Sequence, residues 1–257
     1  MRLFVFHHAG GSHLMYRDWS AHFPGDWEIH VPDAPGRLMD GRVPLERMDD
    51  LVDHFLTELG TGLSGRFALF GHSMGAALGY ALTRRLIDEG RTPPVWLGVS
   101  ARIAPLPATV GEEPRAVQIP LPDGPSDETL RRRVAAIAGT PQSILDDPDL
   151  WARFEPTIRG DLHLAESWRP PVPVPFGVPI SAFAGTDDPV IPVESLTEWS
   201  ALTRHFLGLH RFDGDHFYFQ SDPGPLARRI HADIRRATAL RATETAGGVA
   251  ASAAPHA

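Results

Sequence analysis

The chain has 257 residues, of which 42% are apolar and 22% charged, ordinary values for a globular protein with a sizeable core. Its 24 Lys and Arg against 32 Asp and Glu give a net charge of −8, which argues against a nucleic-acid-binding protein, since that class needs a basic face. Cysteine is absent, which excludes disulfides, thiolate metal sites and a cysteine nucleophile. The N-terminal apolar run is too short for a signal peptide, and no stretch approaches the ~20 apolar residues of a membrane span. We therefore expect a cytoplasmic protein without membrane contact.

Short apolar runs alternate with amphipathic segments along most of the chain. The runs predict six strands, at residues 3–6, 27–31, 67–70, 95–99, 178–184 and 206–212. The segments between them predict helices at residues 13–23, 45–59, 74–89, 193–204 and 225–236. Strands separated by helices in this way indicate a mostly parallel sheet with helices on both faces. The predicted fold class is therefore α/β, in a single domain over residues 1–237.

One connection, over residues 101–177, is longer than a strand-to-strand crossover requires. Within it, residues 127–138 predict one helix, and residues 148–168 predict a second that Pro156 interrupts. Insertions of this length in compact domains are usually functional, and we interpret this one as a helical lid. The tail at residues 238–257 is rich in Ala, Thr and Gly without an apolar period, which predicts disorder.

The most informative motif is Gly-His-Ser-Met-Gly at positions 71–75, which follows a predicted strand and opens a predicted helix. In that context Gly-x-Ser-x-Gly forms a nucleophile elbow. A serine in so tight a turn leaves no room for side chains two residues before and after it, which explains the glycines. We predict Ser73 as the nucleophile. The backbone N–H of Met74, at the helix N-terminus, is the predicted first donor to the oxyanion.

The acid and the base of such an elbow follow later strands, in the order Ser, Asp or Glu, His. Asp187 and Asp188 both follow the fifth predicted strand. We choose Asp188, with Asp187 as the alternative, because the loop must turn before a side chain can face the base. His216 follows the sixth predicted strand and has the required chain order. The predicted chemistry is removal of the Ser73 proton by neutral His216, whose tautomer Asp188 fixes.

The second oxyanion donor is expected from the loop after the first strand, which has the sequence His-His-Ala-Gly-Gly at positions 7–11. We choose the N–H of Ala9, with that of Gly10 as the alternative. The histidines of this region are not predicted to bind metal, because their spacing gives no i, i+4 pair and no carboxylate lies near in sequence. We expect neither a metal nor a cofactor.

In combination these motifs resemble the type II thioesterases that accompany modular polyketide synthases and nonribosomal peptide synthetases. Beyond the elbow, the matching stretches include Phe6-His7-His8-Ala9-Gly10-Gly11-Ser12, Pro35-Gly36-Arg37, Gly139-Thr140-Pro141, Arg159-Gly160-Asp161, Gly185-Thr186-Asp187-Asp188 and Gly214-Asp215-His216-Phe217. The resemblance implies an α/β-hydrolase fold with a helical lid. It also implies an enzyme that removes aberrant or stalled acyl groups from the phosphopantetheine arm of carrier proteins.

A few positions depart from the family pattern. His7 stands where proline is common, Gly160 stands where alanine is usual, and residues 38–40 replace a more basic stretch. These changes leave the predicted triad intact and bear on the lid and on acyl preference.

The resemblance implies transient contact with carrier proteins, and we expect a monomer. Arg131, Arg132 and Arg133 in the lid, with Arg84 and Arg85 after the elbow, are candidate contacts, although such runs are often only a solvated face. Alternative functions are a stand-alone product-releasing thioesterase and a general carboxylesterase. A non-catalytic binding protein on a hydrolase scaffold is a third alternative, against which the intact triad argues.

Overall fold

The computed structural model describes residues 1–37, 41–107, 126–137, 139–170 and 174–252. Within them, six strands form one sheet: β1 (Arg2–Phe6), β2 (Glu28–His30), β3 (Phe67–His72), β4 (Leu97–Ser100), β5 (Ile180–Gly185) and β6 (Phe206–Phe212). Their order across the sheet is β2-β1-β3-β4-β5-β6, and every neighbouring pair is parallel. The central strands β3, β4 and β5 are buried along their whole length. The predicted α/β class is confirmed, because strands buried on both faces are those of a doubly covered parallel sheet.

The helices of the described residues follow most of the predicted segments. They are α1 (Met48–Leu59), α2 (Met74–Asp88), α3 (Asp127–Ile137), α4 (Gln142–Asp146), α5 (Pro148–Ser167) and α6 (Gly224–Ser252). Short 3₁₀ segments occur at His13–Tyr16, Trp19–His22, Gly60–Leu63 and Val193–Leu202. None of the helices described is long and apolar enough to cross a membrane.

The segment predicted as one helix over residues 13–23 is instead two short 3₁₀ turns. Tyr16 and Trp19 contact each other edge to face, with ring centroids 4.8 Å apart, and both rings contact Phe219. All three rings are buried. Packing of these aromatic side chains, which outweighs helix propensity, therefore sets the local backbone.

Apolar side chains fill both faces of the sheet in alternation. Along β1, Phe4 and Phe6 join the cluster that includes α1 and α2, whereas Leu3 and Val5 join the cluster that includes α6. This is the period of two that a strand requires. The sheet is consequently the middle layer of three, and the C-terminal ends of its strands share one edge.

The connection between β4 and β5 contains α3, α4 and α5 in its described part. These helices share an apolar cluster of their own, made of Leu130, Val134, Leu145, Trp151, Ile158 and Leu162. The two predicted lid helices correspond to α3 and α5, and residue 138 lies outside the described residues. Helix α5 does not break at Pro156, contrary to the prediction. Pro156 is on the exposed side of α5, where water can donate to the backbone carbonyl one turn earlier, which proline leaves without an N–H donor.

The C-terminal segment continues the last helix of the chain. Helix α6 runs on through residues 238–252, the part of the tail for which composition predicts disorder. Alanine is the strongest helix former, and Leu240 packs on the cluster beneath α6. Arg241 also donates a hydrogen bond to Pro94 O at 3.2 Å. Residues 253–257, like residues 38–40, lie outside the described residues.

Candidate active site

Ser73 lies between β3 and α2, with φ 55° and ψ −113°. Residues with a side chain rarely adopt a positive φ, so this turn is strained. A Cβ on Gly71 would overlap the backbone carbonyl of Gly75, and a Cβ on Gly75 would overlap the carbonyl oxygen of Phe6. Neither position accepts a side chain. The N–H of Ser73 donates to Ser100 O at 2.8 Å, which ties the turn to β4.

His216 and Asp188 form a buried pair after β6 and β5. His216 Nδ1 donates to Asp188 Oδ2 at 2.8 Å, and the two side chains are 3% and 0% exposed. The other carboxylate oxygen, Oδ1, accepts from the N–H groups of Val190 and Ile191 at 2.8 and 3.0 Å. Asp187 is exposed, and its carboxylate instead bonds to its neighbour Thr186 at 3.3 Å. The geometry therefore brings His216 together with Asp188 and not with Asp187.

Ser73 and His216 line one cavity beneath the lid. It encloses about 480 Å³, including space open to solvent. Its apolar wall is formed by Ala9, Val134, Ile137, Ile158, Leu162, Val190 and Phe217. Among the described residues, no hydrogen bond joins the Ser73 and His216 side chains, a gap that substrate-free sites often show.

Two backbone N–H groups are free to donate to an oxyanion. The N–H of Met74 is at the first position of α2, where no intrahelical acceptor exists. In the loop after β1, Gly11 N–H donates to His8 O at 3.0 Å, and Gly10 has φ +74°, an arrangement typical of a type II turn. Ala9 lines the cavity, and within the described chain its N–H has no protein acceptor. The N–H of Gly10 is already used, since it donates to Asp161 Oδ2 at 2.7 Å.

Two further histidines surround the imidazole of His216. His72 and His8 are buried, and the His72 ring lies 4.9 Å from the ring of His216 between centroids. Burial, together with repulsion from neighbouring histidines, lowers the pKa of both His8 and His72 well below the ordinary value. They are therefore neutral neighbours of His216. Within the described residues, no group of three His, Asp or Glu side chains is arranged to hold a metal ion.

A buried ion pair lies beneath the loop after β1. Arg37 Nη2 donates to Asp161 Oδ2, and the two side chains are 3% and 4% exposed. Arg37 also donates to Gly11 O at 2.9 Å and to Pro35 O at 3.0 Å. Sequence reasoning gave no role to Arg37 or Asp161. Their places in the Pro-Gly-Arg and Arg-Gly-Asp stretches were the signal that could have indicated one.

The arginine run of the lid does not form one contact surface. Arg133 is buried and pairs with Glu166 of α5. Arg131 lies over the ring of Trp151, 5.0 Å from its centroid. Of the three side chains, Arg132 alone is exposed. Arg133 is therefore too buried to serve as a carrier contact, whereas Arg132 and the partly exposed Arg131 stay candidates.

The second pair of candidate arginines is engaged as well. Arg84 pairs with Asp88 at 3.3 Å and donates to Val174 O at 2.8 Å. Arg85 pairs with Asp53 at 2.8 Å. Both side chains are about one-third exposed, so a partner could reach them only by competing with these contacts.

The sheet, the strained serine after β3, the acid after β5, the histidine after β6 and the helical lid together define an α/β-hydrolase. A family model described as "Thioesterase domain" matches residues 1–234. The chain therefore belongs to the thioesterase family, and the expected thioesterase class is confirmed.

Similar proteins give a more detailed relationship. The gramicidin S biosynthesis protein GrsT of Aneurinibacillus migulanus is 31% identical over 219 residues, 85% of this chain and 82% of that protein. The solved structure of the type II thioesterase BorB from the borrelidin biosynthetic cluster is 31% identical, with a TM-score of 0.76, and the match covers 91% of this chain and 92% of BorB. RedJ, the thioesterase of the prodiginine pathway of Streptomyces coelicolor, is 27% identical with a TM-score of 0.77, over 90% and 89% of the two chains. These relatives confirm the resemblance to type II thioesterases of peptide and polyketide pathways.

Proposed function

We propose that this thioesterase hydrolyses aberrant or stalled acyl groups from the phosphopantetheine arm of carrier proteins, using Ser73, His216 and Asp188. The observation that carries the proposal is the buried His216–Asp188 pair, whose histidine opens with Ser73 onto one apolar cavity. The relatives include type II thioesterases of the borrelidin biosynthetic cluster and of the yersiniabactin NRPS/PKS pathway, which supports carrier-bound thioesters as substrates. The proposed compartment is the cytoplasm, and the proposed assembly state is a monomer with transient carrier partners.

The first half of the proposed reaction acylates the serine. His216 Nε2 accepts the proton of Ser73 as Oγ attacks the thioester carbonyl, and Asp188 holds the opposite ring nitrogen and stabilises the imidazolium. The N–H groups of Met74 and Ala9 donate to the oxyanion of the tetrahedral intermediate. The C–S bond then breaks, and the leaving phosphopantetheine thiol takes the proton from His216.

The second half releases the acid. Water gives a proton to His216 as its oxygen attacks the acyl-Ser73 carbonyl, and collapse returns that proton to Ser73 Oγ. The neutral state of His8 and His72 suits this cycle, because a charged neighbour would disfavour the imidazolium that His216 must form twice.

The apolar wall fits acyl groups of short and medium length. Side chains from α3 and α5 close the cavity above Ser73, and Phe217 and Val190 close it from the sheet side. One methylene in an apolar pocket changes binding by only ~1–3 kcal/mol, so we expect gradual rather than sharp selection of chain length. Such tolerance suits an editing enzyme, which must accept more than one wrong acyl group.

One experiment separates editing from the two alternatives. A single acyl group is offered as a carrier-protein thioester, as a coenzyme A thioester and as a simple oxygen ester, and kcat/KM is measured for each. We expect the carrier thioester to be hydrolysed fastest, since contacts remote from the reacting carbonyl can contribute to kcat/KM. Faster cleavage of the oxygen ester would favour a general carboxylesterase. Selective cleavage of one full-length product chain, with short acyl carriers left intact, would favour product release.

A further inference from the structure

We propose that Asp161 of the lid is a positioning residue for the oxyanion loop, which we define as residues 8–11. The second oxyanion donor is then in place only while α5 packs against that loop. The inference rests on the proposed function, because it concerns the Ala9 N–H of the same site. It extends that function by making part of the active site depend on a lid side chain.

One carboxylate oxygen joins three parts of the molecule. Asp161 Oδ2 accepts from the N–H of Gly10 at 2.7 Å and from the guanidinium of Arg37. Arg37 in turn donates to Gly11 O at 2.9 Å. The oxyanion loop is thus held at both Gly10 and Gly11, by one lid side chain and its partner.

The hydrogen bond at Gly10 fixes the central peptide of the turn. Gly10 has φ +74°, and in a turn of this kind the peptide between Ala9 and Gly10 can flip if its N–H loses its acceptor. The N–H of Gly10 is occupied by Asp161, whereas the N–H of Ala9 remains free beside the cavity. Asp161 therefore holds the loop in the state that leaves the Ala9 donor available.

The same face of α5 makes two more contacts with these loops. Thr157 Oγ1 donates to Gly36 O at 3.0 Å. The Ile158 side chain packs so closely on Gly10 that a Cβ there would be 2.7 Å from Ile158 Cγ1. Thr157, Ile158 and Asp161 lie within about one helical turn, so α5 and the oxyanion loop form one packed unit.

The electrostatics indicate a positioning role better than a stabilising one. Burial raises the pKa of Asp161, and Arg37 together with the Gly10 N–H opposes that rise. Removing two charges from water costs nearly as much as their attraction returns, so a buried pair is weak evidence for stability. What such a pair does supply is a fixed geometry.

The test compares two acid–arginine pairs whose acids both lie on α5, the buried Asp161–Arg37 pair and the partly buried Glu166–Arg133 pair. Asp161→Asn removes a charge from the pair that contacts the oxyanion loop. Glu166→Gln removes a charge from the Arg133–Glu166 pair, which joins α5 to α3 and for which the described part of the chain shows no hydrogen bond or ion pair to that loop. Both variants are assayed with a small acyl N-acetylcysteamine thioester, which removes carrier docking from the measurement. A boronic acid that forms a tetrahedral adduct on a serine reports oxyanion stabilisation separately.

We expect Asp161→Asn to lower kcat by ~10–100-fold with little change in KM, and to weaken boronic acid binding by a similar factor. Complete loss of one oxyanion donor costs ~10²–10³-fold, and a displaced donor should cost less. Glu166→Gln should change both quantities less than threefold, even if the two variants lose similar thermal stability.

The proposal is overturned if Asp161→Asn retains kcat within twofold of wild type, or if both variants lose the same kcat and boronic acid affinity. If Asp161→Asn does not fold, Asp161→Glu retains the charge but moves the carboxylate by a methylene. It carries the same expectation, because displacements of ~1 Å can cost up to ~100-fold. A wild-type enzyme inactive on every thioester would instead refute the proposed function, which keeps the two failures distinct.

Discussion

Ser73 has a backbone conformation that costs free energy, and its surroundings make that conformation possible. Gly71 and Gly75 have no side chain to meet the backbone that crosses them, and the Ser73 N–H is bonded to β4. Strain of this type persists only where the surrounding structure fixes it, and it is concentrated at functional sites. In this protein it places the serine Oγ at the cavity and the adjacent N–H at the start of α2.

The two consecutive aspartates allow a matched test of the acid. Asp188→Asn should lower kcat by ~10⁴-fold, because an amide in place of the carboxylate favours the wrong imidazole tautomer. Asp187→Asn is the control, since this exposed side chain has no contact with His216. Steady-state kinetics on one acyl thioester measure kcat for both variants, and circular dichroism verifies that they fold. A larger loss of kcat in Asp187→Asn would assign the role of the acid to Asp187.

Helix α5 both closes the cavity and contacts the oxyanion loop. Its Gly160 is a residue that does not favour a helical backbone. At Gly160, an added Cβ would make only an ordinary van der Waals contact, 3.6 Å from Pro44 Cβ. A glycine inside a helix costs ~0.5–1 kcal/mol relative to alanine.

We therefore expect Gly160→Ala to raise the free energy of unfolding by ~0.5–1 kcal/mol without loss of activity. Urea denaturation followed by circular dichroism measures the change. Gly75→Ala is the contrasting variant, because its Cβ would overlap the backbone of β1, and it should unfold or inactivate the enzyme. A destabilised Gly160→Ala protein would show that α5 needs the flexibility of glycine at this point.

The contact between β6 and α6, which lies away from the active site, makes the stability of the fold depend on pH. Asp233 is buried and pairs with His210 at 2.8 Å and with Arg229 at 2.6 Å. Burial alone would raise the pKa of Asp233, but its interactions with His210, Arg229 and Ser181 outweigh burial and lower the pKa below the ordinary value. A lowered carboxyl pKa contributes stability that is complete above the ordinary value and is lost as pH falls through the lowered one.

Asp233→Asn should therefore be less stable than wild type at pH 7, and the difference should shrink as pH falls below the ordinary Asp pKa of 3.8. Thermal melts of both proteins between pH 7 and pH 3 measure this difference. A difference in melting temperature that stays constant across that pH range would mean that Asp233 contributes to stability by packing alone.

The sequence predicts a feature of the structure when the contacts that fix that feature are close together along the chain. Ser73, Asp188 and His216 each follow a strand end within a few residues, so short patterns located them. Asp161 contacts Gly10 across 151 positions, and no local pattern carries such a contact. Successive residues on a helix are about 100° apart, so three arginines in a row cannot all face one partner, and only the structure shows which of them is exposed. At the C-terminus, the alanine-rich composition that predicts disorder also favours helix, so composition alone does not separate the two.

The candidate active site is assembled at the C-terminal edge of the parallel sheet. Loops after β1, β3, β5 and β6 supply the predicted oxyanion donor, nucleophile, acid and base, and the connection after β4 supplies the lid. Parallel strands bring their C-terminal ends to one edge, which is where α/β proteins place their ligands. Because the lid helices form the wall of the cavity, acyl recognition and the chemistry share one space.

The proposed activity is the removal of acyl groups from carrier proteins through Ser73. The most direct measurement is intact-protein mass spectrometry of an acyl-carrier protein incubated with the enzyme, followed by peptide mapping of the enzyme itself. We expect conversion of the acyl-carrier to its free-thiol form and a transient acyl mass on the peptide that contains Ser73. Ser73→Ala should retain its fold, lose that adduct and lose ~10⁴–10⁶-fold in rate. Deacylation by Ser73→Ala at a tenth of the wild-type rate, or an acyl adduct on another residue, would contradict the assignment of Ser73 as the nucleophile.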